Sequence, residues 1–240
     1  MENEKQKLII KVNKLLINKF GIPSRNKKLP DPVEMLIATI LSQNTNDRNS
    51  YQAYKNLKDK FSNWEEILET PRVTIEKIIK VAGLGKQKST AIKNFVKELT
   101  EREGKLSLKY LNKVESDEAI KDLTSYKGVG VKTASCVLLF AMDRNVCPVD
   151  THVHRTVNRI GIVKASAPDK TFFALNENFP EKIAHSFHTN LIRLGREICK
   201  PQKPACRVCP LEKICNFEDK NFDLKSAANE RAFMLLDNIS

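Results

Sequence analysis

Two glycines stand one residue apart in the segment Lys127-Gly128-Val129-Gly130, and Lys132 follows two residues later. Glycine permits a tight turn and a close approach to another molecule, and the unpaired N–H groups at the start of a helix can bind an anion. Apolar residues at helical spacing flank the glycines, which predicts a helix-hairpin-helix with Lys132 in the first turn of its second helix. Such a hairpin could grip a phosphate, although glycines also simply end and begin helices.

An acidic residue follows this hairpin in the sequence and adds a carboxylate to the candidate site. Asp150 stands in the turn Pro148-Val149-Asp150-Thr151-His152, which opens another predicted helix. Aspartate is a common helix N-cap, and that is the structural interpretation of Asp150. The combination of an amine, a carboxylate and an anion-gripping hairpin favours a functional interpretation over caps alone.

Four cysteines near the C-terminus provide the strongest single signal. Gaps of six, two and five residues separate Cys199, Cys206, Cys209 and Cys215. Thiols of an intracellular protein are not expected to form a disulfide framework, so the pattern predicts a metal site. Zinc sites usually pair two Cys-x-x-Cys hooks, and only one is present here. The longer, unequal gaps favour an iron-sulfur cluster.

Basic residues surround these cysteines, and they could be either solvated or engaged with an anion. Among them, Arg193, Lys203 and Arg207 are predicted to contact phosphates. The other two cysteines, Cys136 and Cys147, fall among apolar residues and are interpreted as core thiols.

The composition narrows the class of protein. The chain has 240 residues, 41% of them apolar, and a formal net charge of +12. This is enough apolar material for a real core, and the charge favours an anionic polymer as partner, although basic chains also bind ribosomes and acidic membranes. No apolar run reaches the roughly 18 residues of a membrane span, and the N-terminus does not resemble a signal peptide, so we expect an intracellular protein.

The periodicity of the remaining chain is helical throughout and predicts an all-α fold. Asp31-Pro32 reads as a cap and first turn of a buried helix, which ends in the polar run Ser42–Asp47. The amides of that run, Gln43 and Asn44, would suit a base edge or a flanking sugar, or could simply cap a loop. Residues 75–99 predict a second helix-hairpin-helix. Leu84 at its tip could wedge into a base stack or pack beneath its own loop.

Together, the hairpin at 127–132, the Pro148–His152 turn and the cysteine spacing resemble the endonuclease III family of helix-hairpin-helix DNA glycosylases and abasic-site lyases. The resemblance covers roughly residues 7–216. It implies two helical domains: a six-helix barrel at 24–144, and a 4Fe-4S cluster domain at 1–23 plus 145–216. Residues 217–240 form an extension whose apolar residues predict a helix, namely Ala227, Ala228, Ala232, Phe233, Leu235, Leu236 and Ile239.

The resemblance also implies a function, base-excision DNA repair, and roles for individual residues. A damaged base, expected to be an oxidised pyrimidine, is flipped out of the duplex. Lys132 forms a Schiff base with the sugar, Asp150 stabilises positive charge or takes a proton, and elimination cuts the abasic strand. Gly128 and Gly130 grip the backbone of DNA held in a cleft between the two domains. Many family members fill the hole left by the flipped base with glutamine, where this chain has Asn44, preceded by Gln43.

The expected partner is double-stranded DNA with a damaged base or abasic site, bound by a monomer in the cytoplasm, or in the nucleus of a eukaryote. Alternatives within the family are glycosylases for uracil or thymine in mismatches and enzymes that act mainly at abasic sites. A non-catalytic iron-sulfur DNA-binding module and a zinc-binding RNA-associated protein are alternatives from other classes. The second of these leaves Lys132 and Asp150 unexplained.

Overall fold

The computed structural model describes residues 3–25, 28–223 and 239, and within these ranges the regular structure is helical with no β-strand. The predicted all-α fold is therefore confirmed. No helix of the described residues is both long enough and apolar enough for a membrane span. The described α-helices, numbered in chain order, are α1 Glu4–Phe20, α2 Pro32–Leu41, α3 Asp47–Lys60, α4 Glu66–Glu69, α5 Arg72–Ile78, α6 Gly85–Glu103, α7 Ser116–Ser125, α8 Val131–Ala141, α9 Thr151–Ile160, α10 Pro168–Asn176 and α11 Ala184–Glu197.

The chain divides into two compact units. Of the described residues, 3–25 and 145–223 belong to the terminal unit, and 28–144 and 239 belong to the central unit. Helices α2 to α8 therefore lie in the central unit, and α1 and α9 to α11 lie in the terminal unit. Lys132 belongs to the central unit, and Asp150 and the four clustered cysteines belong to the terminal unit.

The central unit is built around two buried helices, α2 and α8, which pack against each other. The N-terminus of α2 forms as the sequence predicts, because Asp31 Oδ1 accepts hydrogen bonds from the N–H groups of Val33 at 2.9 Å and Glu34 at 3.4 Å. Every residue of α2 after Pro32 is buried. Helices α3 and α6 also pack against α2, and α7 packs against α8.

The second predicted hairpin lies in the same unit. Helix α5 is followed by a short 3₁₀ turn at Lys80–Ala82, after which α6 begins at Gly85. Helix α5 packs against α6. The interpretation of residues 75–99 as helix, hairpin and helix is therefore correct.

The terminal unit packs the first helix of the chain against helices that follow residue 145. Helix α1 buries Ile9, Val12 and Leu16 and packs against α11, which in turn packs against α9. Cys136 in the central unit and Cys147 in the terminal unit are both buried, in keeping with their interpretation as core thiols. Residues 217–223 of the predicted C-terminal extension are irregular, and the remainder of that extension, except Ile239, lies outside the described residues.

Candidate active site

The glycine hairpin between α7 and α8 differs at its two glycines. Gly128 has a φ of +94°, and a Cβ at this position would lie 2.7 Å from the Cβ of Ala91 on α6. Only glycine fits there, because both the left-handed backbone and the close approach to α6 exclude a side chain. Gly130 is the N-cap of α8 with extended backbone, no side-chain cap and open space around it. The start of α8 is therefore left uncovered by any capping side chain.

The polar run that follows α2 lies against this hairpin. Gln43 Nε2 donates to the backbone oxygen of Gly128 at 3.4 Å and to Thr133 Oγ1 at 3.3 Å. Lys132, which is half-buried, donates from Nζ to Ser42 Oγ at 3.4 Å. The sequence predicts both segments, and only the folded chain shows that they are in contact. Ser42 thus joins the site as the residue that orients the Lys132 amine.

Two residues near the hairpin combine an exposed side chain with an unusual backbone. Asn44 and Leu84 each have a φ of 50°, in the left-handed region that residues other than glycine rarely adopt. Asn44 is exposed, and Leu84 is 47% exposed, so Leu84 does not pack beneath its own loop. Leu84 also borders a groove of about 780 Å³ that reaches Lys127 and Gly128. Strained, exposed residues of this kind are typical of functional sites.

Asp150 is the N-cap of α9, and its Oδ1 accepts a hydrogen bond from the N–H of Val153 at 2.7 Å. Asp150 therefore caps the helix, as its structural interpretation predicts. The carboxylate is half-buried, and its second oxygen takes no part in the capping bond. Burial lowers the pKa of neighbouring His152, although the Asp150 carboxylate acts in the opposite direction. The Asp150 carboxylate also interacts electrostatically with Arg155, whose pKa is lowered chiefly by burial.

The turn that precedes Asp150 is fixed by two residues that the sequence did not single out. His188, which is buried, donates from Nδ1 to the backbone oxygen of Pro148 at 2.9 Å. The side-chain amide of Asn176 forms two hydrogen bonds with the backbone of Cys147. Its oxygen accepts from the Cys147 N–H at 2.7 Å, and its nitrogen donates to the Cys147 backbone oxygen at 3.0 Å. Neither residue lies in a motif, so a sequence pattern offers no signal for them.

The four clustered cysteines are half-buried, and none forms a disulfide. The pKa of the Cys209 thiol is raised to about 12, chiefly by burial and also by the nearby Cys199, Cys215 and Cys206, against a lowering hydrogen bond from the backbone of Leu211. The four sulfurs therefore lie near enough to interact.

Within the described residues, no group of three metal-ligating side chains is gathered closely enough to hold a single ion. Arg159 adds a cation beside the four cysteines, since its Nη1 donates to Cys199 Sγ at 3.4 Å.

The three basic residues predicted to contact phosphates differ in their surroundings. Lys203 and Arg207 are exposed. Arg193 instead donates to the backbone oxygen of Phe20 at 2.9 Å and to Glu197 at 3.4 Å, and its guanidinium stacks on the Phe20 ring. Its donors are thus engaged inside the terminal unit, which makes Arg193 the weakest of the three candidates.

Comparison with known proteins places this geometry in a family. The sequence profile of the HhH-GPD superfamily of base excision DNA repair proteins matches residues 37–181, which include the hairpin, Lys132 and Asp150. The chain belongs to the HhH-GPD superfamily. The predicted class of enzyme, a DNA glycosylase and abasic-site lyase of base-excision repair, is confirmed at the level of this family.

Individual known proteins are similar to this chain over most of its length. Endonuclease III of Thermotoga maritima is 36% identical over 193 residues, which cover 80% of this chain and 86% of the relative. The solved structure of a non-covalent endonuclease III–DNA complex superposes with a TM-score of 0.71 at 28% identity, covering 89% of this chain and 96% of the other. The solved structure of a trapped endonuclease III–DNA covalent intermediate has the same TM-score, identity and coverage.

The difference between the two hairpin glycines is open to a direct test. Replacing Gly128 by Ala introduces a left-handed alanine and a clash with Ala91, so we expect the hairpin to shift and DNA affinity to fall by roughly tenfold or more. Replacing Gly130 by Ala meets neither obstacle and should preserve both stability and affinity. Thermal unfolding and fluorescence-anisotropy titration with abasic-site duplex measure the two effects. Equal behaviour of the two variants would contradict this account of the hairpin.

Proposed function

We propose that this protein removes a damaged base from duplex DNA and then cuts the abasic strand, with Lys132 as the nucleophile and Asp150 as the assisting carboxylate. The observation that carries the proposal is the position of the Lys132 amine, half-buried in the first turn of α8, next to the glycine hairpin and hydrogen-bonded to Ser42. A lysine that only extended into solvent would not be half-buried and hydrogen-bonded in this way. The family supports the proposal, because its members repair DNA by base excision.

Recognition begins with the extrusion of the damaged nucleotide, because a base inside a duplex is out of reach. The amides at the start of α8, together with the backbone of Gly128 and Gly130, would hold a phosphate of the damaged strand. Asn44 would occupy the hole left by the base and Leu84 would wedge between neighbouring bases, as their exposure favours. Gln43 has a different role in this proposal, since its amide is bound to the hairpin.

The chemical step follows from the residue types. The Lys132 amine attacks C1′ of the sugar and gives up one proton, for which the Asp150 carboxylate is the proposed acceptor, while the bond from C1′ to the base breaks and the base leaves with the electron pair and takes up a proton from solvent. The carboxylate also stabilises the positive charge that develops on the sugar. Ring opening gives a Schiff base on Lys132. Loss of a proton from C2′ then breaks the bond between C3′ and its oxygen, which cuts the strand.

We further propose an oxidised pyrimidine as the preferred base, because several relatives that are 32–36% identical over most of this chain are endonuclease III proteins. Uracil or thymine in a mismatch is the alternative substrate. The protein would bind double-stranded DNA as a monomer, in the cytoplasm of a prokaryote or the nucleus of a eukaryote.

Endonuclease III relatives generally contain a 4Fe-4S cluster, whereas some members of the superfamily lack one. We propose that Cys199, Cys206, Cys209 and Cys215 hold such a cluster here, as their number and their sequence gaps of six, two and five residues favour. When bound, the cluster supplies a rigid, redox-active anchor for the loop around it. The exposed Lys203 and Arg207 on that loop would then contact DNA phosphates.

The assignment of the nucleophile is tested by covalent trapping. Borohydride added to the protein during reaction with abasic-site DNA should reduce the Schiff base to a stable protein–DNA adduct. In Lys132→Gln we expect adduct and strand cleavage to disappear, while DNA binding persists through the hairpin backbone. Lys121→Gln, which removes an exposed lysine of α7, is the matched control and should form adduct like the wild type. Undiminished adduct in Lys132→Gln would remove Lys132 from its assigned role.

The two roles of Asp150 can be separated by substitution. Asn accepts the same capping hydrogen bond but carries no charge, so Asp150→Asn should keep its melting temperature and lose about 100-fold or more in single-turnover base release. Asp150→Ala should lose both activity and about 1 kcal/mol of stability, because the cap is gone. Normal turnover in Asp150→Asn would show that Asp150 is structural only, whereas a non-catalytic DNA-binding module predicts no base release even by the wild type.

The cluster assignment predicts the metal content of the purified protein. Protein isolated without oxygen should be yellow-brown and hold about four irons per chain, measured by metal analysis and visible absorption. Cys206→Ala should lose iron and stability together. Cys136→Ala, which changes a buried thiol of the central unit, should keep its iron. One zinc per chain in place of iron would overturn the assignment.

A further inference from the structure

A buried lysine in α6 links the two loops that carry the strained, exposed residues. Lys88 is 1% exposed, and its Nζ donates to the backbone oxygen of Leu41 at 2.7 Å and to that of Ala82 at 2.8 Å. Leu41 is the last residue of α2, and Ala82 is the last residue of the 3₁₀ turn. One ammonium group therefore bridges the ends of two helical segments that lie far apart in sequence.

Each of the two anchored oxygens lies shortly before a residue in the left-handed conformation; the described residues contain four more such residues, Asp143, Asn178, Lys182 and Lys203. Asn44 follows Leu41 by three residues, and Leu84 follows Ala82 by two. Residues other than glycine keep such a backbone only where surrounding contacts over-determine it. Lys88 provides one such contact to both loops at the same time.

The burial of this ammonium is unfavourable in itself. Burial lowers the pKa of Lys88 to about 8. Within the described residues, no carboxylate forms an ion pair with Lys88, and its recorded partners are the two carbonyls. A helix C-terminus carries partial negative charge, which offsets part of the desolvation of the ammonium. An apolar residue would fill this site at lower cost but could not hold the two carbonyls together.

We propose that Lys88 is a positioning residue that fixes Asn44 and Leu84 relative to each other, so that the two loops open the duplex as one unit. This inference rests on the proposed function. It states that the two loops are held in place before DNA binds and together test how the bases are stacked. The loss of the ammonium would leave each loop present but free to move independently. Base extrusion would then suffer, whereas the attachment of DNA to the hairpin would not.

The test uses Lys88→Met, which preserves the apolar stem and removes the charge. A duplex with the fluorescent base 2-aminopurine next to the lesion reports unstacking on binding, whether or not any bond is cut. We expect the wild type to raise the fluorescence and Lys88→Met to lose most of that increase at saturating protein. Single-turnover excision from a paired lesion should slow on the order of 100-fold, as misplacement of positioning groups allows. Excision from a lesion left unpaired should recover most of this loss, because that base is already unstacked.

Helix α6 also supplies a matched control. Lys93 Nζ donates to the backbone oxygens of Ile67, Leu68 and Thr70 near the end of α4, so it performs the same capping chemistry away from the two loops. Lys93→Met should cost comparable stability and leave the fluorescence increase intact. Equal unstacking by Lys88→Met and the wild type, or equal losses in both lysine variants, would overturn the proposal.

A second measurement keeps the proposal testable if Lys88→Met does not fold. Asn44→Ala, Leu84→Ala and the double variant should show strongly non-additive losses of unstacking if the loops act as one unit, and additive losses would count against it. The proposed function fails separately, if the wild type neither releases a base nor cuts abasic DNA. In that case the fluorescence assay still decides the role of Lys88 in opening the duplex.

Discussion

The complete burial of α2 is the constraint on which the central unit depends. A helix ends with unpaired carbonyl groups, and at a buried end water cannot satisfy them. Lys88 meets this need at Leu41, and the residues that come next are held by the hairpin and α8, through Gln43 and Lys132. The same contacts that complete α2 therefore also place the polar run beside the nucleophile that we propose.

The central unit keeps several features that stability alone would not favour. It contains a buried ammonium without a carboxylate partner among the described residues, and it holds Asn44 and Leu84 in strained backbone conformations with exposed side chains. The buried ammonium is unfavourable by itself, and Asn44 and Leu84 lie near the hairpin. Asp143 of the central unit also has a positive φ, so the backbone conformation alone does not mark the site. Asn44 and Leu84 are the two such residues to which we assign contact with DNA.

In the terminal unit, the same side chains stabilise the fold and carry the roles that we propose in the reaction. Asp150 caps α9 with one carboxylate oxygen, and this bond fixes the direction of the other. His188 and Asn176 hold the preceding turn, so the carboxylate is positioned by buried contacts on both sides in sequence. Arg159 likewise joins α9 to the cysteine loop through Cys199. Disruption of the fold in this unit would therefore also displace the groups that we expect to act on DNA.

The sequence by itself determined the local features of this protein. Helical periodicity, the Asp31 cap, the glycine hairpin and the set of four cysteines each depend on residues close together in the chain, and each was predictable from spacing. Tertiary structure decided which of these segments meet. The contact of Gln43 with Gly128 spans 85 residues. Lys88 occupies an apolar position on the face of α6 that carries Ile92 and Phe95, and the carbonyl that explains it lies 47 residues away, at Leu41. Periodicity shows that such a position is buried, but only packing decides which partners a buried ammonium finds.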